Sequence, residues 1–306
     1  MKMNKNENEK IIITNQFSVK ESIQLFDFLQ KKLTNMSRNN IKHLMSNKQV
    51  LLDGSAISQF DFMLGKGDLI QISKYPVRNT KTKIKQELPE IIYEDSEFLV
   101  INKPSGLLSI SNEKELKQTA YRIMQDYVSL KNPKNRIFIV HRIDRDTSGV
   151  LVFVKDEKLK NKLSLHWNEL VNTREYIAIV EGKLQQKKGD VVSWLKETAT
   201  NIMYSSKNKN DGQKATTHYE VLKESKKYSM LRVLIDSGRK NQIRVHMSDL
   251  GHKIIGDSKY GPTDNPIKRL GLHASVLEFV HPENKKTYTF KAKVPSIFDT
   301  LFAKKG

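Results

Sequence analysis

At 306 residues the chain is long enough to bury a core and divide into two domains, and its lack of cysteine excludes disulfides, thiol catalysis and cysteine zinc sites. Its 53 Lys and Arg outnumber 34 Asp and Glu, a net charge of +19 and a pI ≈ 9.7, with the excess spread along the sequence. So basic a protein points to a polyanionic partner, most simply nucleic acid, because neutralising phosphates releases counterions and gives affinity without special geometry.

The start, Met1 to Lys10, is polar and has no apolar segment of the kind a secretory signal needs. No apolar run approaches the roughly 20 residues of a membrane span, so the expected setting is the cytoplasm, with no membrane partner. Residues 1–15 are expected to be loosely ordered, with Ile11-Ile12-Ile13 as a candidate first strand. From Ser18 the apolar residues Ile23, Phe26, Leu29 and Leu33 recur at helical spacing. A second helix starts after the N-cap residue Ser37, with Ile41, Leu44 and Met45 on one face and the cations Arg38, Lys42 and His43 elsewhere. Val50-Leu51-Leu52, the Asp53-Gly54 turn and the alternating residues up to Ile72 make a small β element. Two short helices followed by strands, with Ser-Arg opening the second helix and Gly-x-Gly-Asp at 65–68, resemble the αL-type RNA-binding domain of a small-subunit ribosomal protein. The resemblance gives this module residues 16–75 and makes Arg38 and Lys42 RNA-contacting. Residues 76–89, with Lys81, Lys83 and Lys85, read as a basic linker.

A larger domain follows at 90–303, opening with the β runs Ile91-Ile92-Tyr93 and Phe98-Leu99-Val100-Ile101. Lys103-Pro104 is a stiff exit from the second run, since the proline ring fixes φ and keeps the preceding residue extended. Residues 115–130 read as a helix, and Ile137 to Val140 as a strand that delivers the polar knot His141-Arg142-Ile143-Asp144-Arg145-Asp146-Thr147-Ser148-Gly149. That knot runs into the apolar strand Val150 to Val154, a polar site mounted on a buried strand. A helix over 157–170, a strand at 174–182, a polar excursion over 184–214 and strands at 216–222 and 229–235 come next. A second polar knot, Ser237 to His246, opens a helix, and a strand around Leu272-His273-Ala274 precedes a terminal hairpin. Strands outnumber helices and mostly follow one another directly. The fold class expected is therefore α+β: a largely antiparallel, mixed β-sheet with flanking helices, plus the small N-terminal α/β domain.

Composition and spacing leave few chemistries open. Asp144 and Asp146 are carboxylates among cations. There is no phosphate-binding glycine loop, dinucleotide fingerprint, metalloprotease pair or nucleophile elbow. His141, His246, His252 and His273 match no zinc spacing.

The stretch His141 to Lys155 closely resembles the signature of the RluA-type pseudouridine synthases. Asn102-Lys103-Pro104-Ser105-Gly106, the strand with Tyr176, Gly238-Arg239-x-x-Gln242-Ile243-Arg244-Val245-His246, Gly256-Asp257-x-x-Tyr260-Gly261 and Leu272-His273-Ala274 extend the likeness in the family's order. The resemblance implies isomerisation of uridine in RNA to pseudouridine, without cofactor or metal, on a base flipped from its stack. By the same resemblance Asp144 is the catalytic carboxylate and Arg244 pairs with it and lowers its pKa. Tyr176 lies against the uracil, where its hydroxyl can assist proton removal. Arg142 serves the flipped nucleotide, and His141, Arg145, Lys103 and Gln242 join it as substrate-binding residues. Asp146 fixes the loop. Asn241 stands where the family usually has His, Ser237 where it has Thr, and Arg174 where Lys is common. The partner implied is RNA, with large-subunit ribosomal RNA ahead of transfer RNA, acted on by a monomer that needs no protein partner. A non-catalytic RNA-binding or assembly factor retaining the fold is the competing class. A carboxylate glycosidase lacks an identifiable second carboxylate.

Overall fold

A computed structural model describes residues 11–58, 60, 62–77, 88–111, 119–260 and 264–303. They divide into two compact units, one made of the described residues up to Val77 together with Ser111 and the other of the rest from Leu88 onward. Most of the expected basic linker lies outside the described residues.

In the first unit, β1 (Ile13–Ser18), β2 (Ile23–Gln24), α1 (Leu25–Lys32), α2 (Arg38–Ser46), β3 (Val50–Leu52), β4 (Ser55–Ala56), β5 (Met63–Leu64) and β6 (Leu69–Ser73) follow in order. β1, β6, β3 and β4 form one antiparallel sheet in that order. Leu25, Leu29, Ile41 and Met45 from the helices meet Val50, Ile70 and Ile72 from the sheet in one core. The Ser37 hydroxyl accepts from the Asn40 amide at 3.3 Å, satisfying an orphan donor at the start of α2. Two expectations shift. The first strand begins at Ile13, and Ile23 is not helical but pairs with Leu64, so α1 starts only at Leu25.

The second unit contains β7 (Glu90–Glu94), β8 (Phe98–Lys103), α3 (Ala120–Lys131), β9 (Phe138–Ile139), β10 (Ser148–Val154), α4 (Glu157–Leu165), α5 (Trp167–Leu170), β11 (Val171–Glu181), β12 (Lys188–Glu197), β13 (Met203–Ser206), β14 (Gln213–Glu224), β15 (Tyr228–Ile235), α6 (Gln242–Asp249), β16 (Leu272–Val280), β17 (Thr287–Lys291) and a closing 3-10 turn, Ser296–Leu301. The strands form one sheet in the order β13-β12-β14-β15-β11-β16-β10-β8-β7, with β17 on β16 and β9 on β10. Every pairing in it among the described residues is antiparallel except β10 with β16. The α+β, largely antiparallel expectation holds. No helix among the described residues is long and apolar enough to cross a membrane.

The centre of the sheet is covered on both faces, which explains its unbroken apolar runs. Val150, Val152 and Val154 of β10 pack with Phe98, Val100 and the α4 residues Leu159 and Leu163, while Leu151 and Phe153 pack with Leu99, Ile101 and α3. α6 covers β11 and β15 through Ile243 and Met247. The polar stretch 184–214 is not an excursion. It contributes β12, β13 and the start of β14, with Ser193 and Leu195 turned inward and charged residues outward. Strands with one solvated face need few apolar residues, so their composition reads as loop. The helix expected over 157–170 breaks at His166 into α4 and α5.

The parallel pair sets the geometry of everything near the polar knot. Ser148 and Gly149 align with His273 and Ala274 of β16, and across β16 the same Ala274 aligns with Tyr176 of β11. Gly149 has φ +117°, and a Cβ there would lie 2.1 Å from the Ala274 carbonyl oxygen. Only glycine permits this approach. Gly149→Ala is therefore expected to destabilise the second unit by at least about 2 kcal/mol, read as a lowered midpoint in urea denaturation. A midpoint equal to wild type would contradict the close approach.

Candidate active site

Asp144 sits on the loop between β9 and β10, and the chain after β8 holds that loop from beneath. The Ser109 hydroxyl donates to the Ile143 carbonyl at 2.7 Å and accepts from the Ile143 amide at 3.3 Å. The Gly106 amide donates to the Arg145 carbonyl at 2.9 Å, and the Ser105 hydroxyl to the Asp146 carbonyl at 2.6 Å. Lys103 completes the attachment. Its Nζ donates to the carbonyls of Pro104, Leu107 and Arg145 at 2.9, 2.6 and 2.9 Å, using the three donors an ammonium has. The side chain is 0% exposed, and burial draws its pKa down to about 7 against the pull of Asp146 and Asp144. Lys103 is thus a buried brace for the loop, the structural one of the two roles open to it.

Arg244 reaches the loop from α6 and is held firmly by other groups. Its Nε and Nη2 donate to the two oxygens of Asp257 at 2.8 and 2.6 Å, a bidentate pair with side chains 8% and 1% exposed. Nη1 donates to Asn241 Oδ1 at 3.2 Å and lies 3.8 Å from Asp144 Oδ2. The guanidinium also stands 5.2 Å from the Tyr260 ring centre. Asp257 accepts in addition from the amides of Lys259 and Tyr260 at 2.9 and 3.1 Å, and although burial opposes it, Arg244 and these bonds hold its carboxyl below the usual range. The expected pair of Arg244 with Asp144 is present but long, while its short partner is Asp257.

Asn241 explains itself in this setting. It has φ +54°, the left-handed region that Asn tolerates better than most residues. Its amide donates to Tyr260 Oη at 2.8 Å while its oxygen receives Arg244. Tyr260 Oη also accepts from the Met203 amide at 3.2 Å, and Lys259 Nζ donates to the Asn201 carbonyl at 2.8 Å, which ties the β12–β13 turn to the same cluster.

The electrostatics of Asp144 depart from the expected lowering. Its side chain is 28% exposed, yet the surrounding protein desolvates it, and burial raises its pKa above the ordinary carboxylate value despite Arg244, Arg142, Lys259 and Lys103. Tyr176 is pushed up to about 12, by burial first and then by Asp144, with Arg174 opposing. Its phenol is a donor at neutral pH, not a base. β16 bulges at Ser275 opposite the Glu175–Tyr176 step, and the Ser275 hydroxyl bonds Glu175 at 2.8 Å. A bulge next to a site re-aims the neighbouring side chains.

The remaining expected site residues separate into exposed and structural groups. Arg142 and Arg145 are exposed, and Arg145 Nε donates to the Gly106 carbonyl at 3.2 Å. His141 accepts from the Val152 amide at 3.0 Å through Nε2, stacks on Trp167 at 5.2 Å, and is neutral because burial drives its pKa down to about 3. Gln242 is 2% exposed and spends its amide on Thr216 and Thr217 at 2.9 and 3.0 Å, its oxygen accepting from Ser237 and the Arg239 amide. It shapes the turn into α6. Arg38 and Lys42 are exposed on α2, over the Phe26 ring at 5.6 and 6.0 Å. No three His, Asp or Glu side chains among the described residues come together to hold a metal ion.

By fold the catalytic unit is of the pseudouridylate synthase class. Human RNA pseudouridylate synthase domain containing 4 superposes with a TM-score of 0.57 at 22% identity, over 68% of this chain and 90% of that one. The sequence pattern of the RNA pseudouridylate synthase family matches residues 97–249. An uncharacterized RNA pseudouridine synthase, YjbO of Bacillus subtilis, is 33% identical over 78% of this chain and 85% of its own length. Ribosomal large subunit pseudouridine synthase D of Borreliella burgdorferi is 31% identical over 88% and 86%. The chain belongs to the RNA pseudouridine synthase family, in its RluA-type branch.

The two carboxylates nearest Arg244 are predicted to respond oppositely to mutation. Asp257→Ala strands a buried guanidinium and should cost roughly 3–5 kcal/mol in denaturant unfolding. Asp144 has a folded pKa above its unfolded one, so its ionised form costs stability at pH above that folded value. Asp144→Asn should therefore unfold at a higher midpoint than wild type at pH 7, and a lower one would contradict the desolvation of Asp144.

Proposed function

We propose that the chain converts uridines of large-subunit ribosomal RNA to pseudouridine, with Asp144 as the carboxylate that acts at the sugar. The observation carrying this reading is the desolvated Asp144 carboxylate on a rigidly braced loop, 3.8 Å from a guanidinium already fixed by Asp257. In the reaction the bond from C1′ to N1 breaks and one from C1′ to C5 forms, while the proton on C5 leaves and N1 gains one. Attack by the carboxylate on C1′ and proton abstraction from the ribose both require ionised Asp144, and a desolvated carboxylate is the stronger nucleophile and base. Arg244 stabilises that ionised form at a distance that leaves an oxygen available to the ribose. Tyr176 offers its ring to the uracil and, its phenol being protonated, a hydrogen bond rather than a general base. The base must leave its stack to reach Asp144, and Arg142, which is exposed, occupies the gap or holds the displaced phosphate in this reading.

The choice of RNA rests on charge and on relatives. A net charge of +19 suits a highly structured polyanion, and the relatives from Buchnera, Borreliella and Zymomonas carry names that specify the ribosomal large subunit. The N-terminal unit, with Arg38 and Lys42 exposed on α2, serves as an additional RNA-binding module.

Ribosomal RNA labelled with tritium at uridine C5 should lose label to water when incubated with the protein. Asp144→Asn should reduce the rate by ~10²–10⁴-fold or more. Binding without release by wild type would favour an assembly factor instead. Because the Asp144 pKa is raised, the rate should fall with decreasing pH around a midpoint above 3.8, the ordinary aspartate value. An acid limb at or below that value would show that the carboxylate is not desolvated in the working enzyme.

A further inference from the structure

A cavity of ≈ 260 Å³ opens beside Tyr176, and neither Asp144 nor Arg244 lines it. Its walls bring together Arg142, Arg174 and Arg239 with no carboxylate among the described lining residues, and its apolar lining includes Trp167 and Leu277, which pack in one cluster. Arg174 is the unusual member. It is 9% exposed, and its guanidinium donates to the Asp236 carbonyl and to Asn168 Oδ1, both at 3.0 Å, two neutral acceptors. Asp236, whose charge acts on Arg174, directs its carboxylate to His218 Nε2 at 3.1 Å. A buried cation without an ion partner is costly, and the cost is relieved when an anion enters. Burial accordingly draws the Arg174 pKa down, with Tyr176 and Asp236 only partly opposing.

We propose that this cavity is a subsite for a second nucleotide of the substrate strand, its phosphodiester on Arg174 and Arg239 and its base over the Trp167 and Leu277 floor. The assignment rests on the reading of the chain as an enzyme acting on RNA. A bare phosphate would satisfy the guanidiniums and leave the apolar floor empty, whereas a nucleotide complements both. Tyr176 borders the cavity and feels the charges of both Arg174 and Asp144, so a nucleotide held here adjoins the one that reacts. Arg174 and Trp167 thereby become determinants of which sequence around the target uridine is accepted.

Binding of a short oligouridylate, measured between about 50 and 200 mM salt, tests the phosphate contacts. Arg174→Gln and Arg239→Gln should each weaken binding several-fold and lower the slope of log affinity against log salt by about 0.7, the value for one single-strand phosphate contact. Arg174→Lys should keep the wild-type slope. A purely structural role for Arg174 would leave the slope unchanged, and unchanged slopes in both glutamine variants overturn the subsite. Arg239 is half-buried, so its variant carries the test should Arg174→Gln fail to fold. The base is tested through Trp167, the other tryptophan, Trp194, being replaced by Phe. Oligouridylate should quench Trp167 emission and inorganic phosphate should not, while absence of quenching by the oligomer removes the nucleotide from the floor. Label release by wild type with unchanged slopes would discard the subsite and leave the isomerase reading intact. Lowered slopes in a protein that releases no label would discard the isomerase reading and leave an RNA-binding subsite.

Discussion

A guanidinium that is only 8% exposed needs a counter-ion, and for Arg244 the short, bidentate counter-ion is Asp257. That pair fixes the arginine before any substrate arrives, and fixes it where Nη1 still faces Asp144 from 3.8 Å. The division of labour has a physical logic. A direct bidentate pair between Arg244 and Asp144 would hold the carboxylate ionised but would occupy both of its oxygens. With Asp257 taking the strong contacts, Asp144 keeps a cation nearby and an oxygen unengaged by it, while burial raises the cost of its negative charge. Asn241 and Tyr260 close the remaining sides of the guanidinium, so its position is overdetermined.

The sheet supplies the complementary constraint. Three strands meet at Ala274, which aligns with Gly149 on one side and Tyr176 on the other. The parallel contact between β10 and β16 brings the end of the Asp144 loop against β16, and the antiparallel contact brings Tyr176 there from the opposite edge. A central strand is the most rigid support a loop can have, since it is hydrogen-bonded on both sides and packed on both faces. The loop is stitched besides to the segment after β8 through backbone groups of Ile143, Arg145 and Asp146, with buried Lys103 as the central donor.

Much of this was legible in the sequence, and what was not had identifiable causes. β8 and β10 announce themselves as unbroken apolar runs because they are buried on both faces. β12 and β13 do not, because strands near the end of the sheet with one solvated face carry few apolar residues and have the composition of a loop. At the site, Arg244 stands 3.8 Å from Asp144, and Tyr176 lies close enough to feel the charge of Asp144. Lys103 and Gln242 stand in the sequence motifs yet are buried and saturated by backbone acceptors or neighbouring side chains, a distinction that depends on where the fold places carbonyls. Asp257 was visible only as part of a loop motif. Its pairing with an arginine 13 positions earlier is created by the packing of that loop on α6, and an isolated Gly-Asp carries no periodic signal of it.

The turn between β12 and β13 lies at the edge of the sheet, yet its backbone is bonded to Lys259 and Tyr260, and Tyr260 packs on Arg244. Surface turns are where chains most readily accept insertions and deletions. In this architecture such a change does not stay at the surface, because altering the length of the turn moves the acceptor for Lys259 and the donor for Tyr260 together. Related chains can therefore tune the environment of the arginine without substituting any residue that surrounds it, and an engineer could do the same by trimming one hairpin.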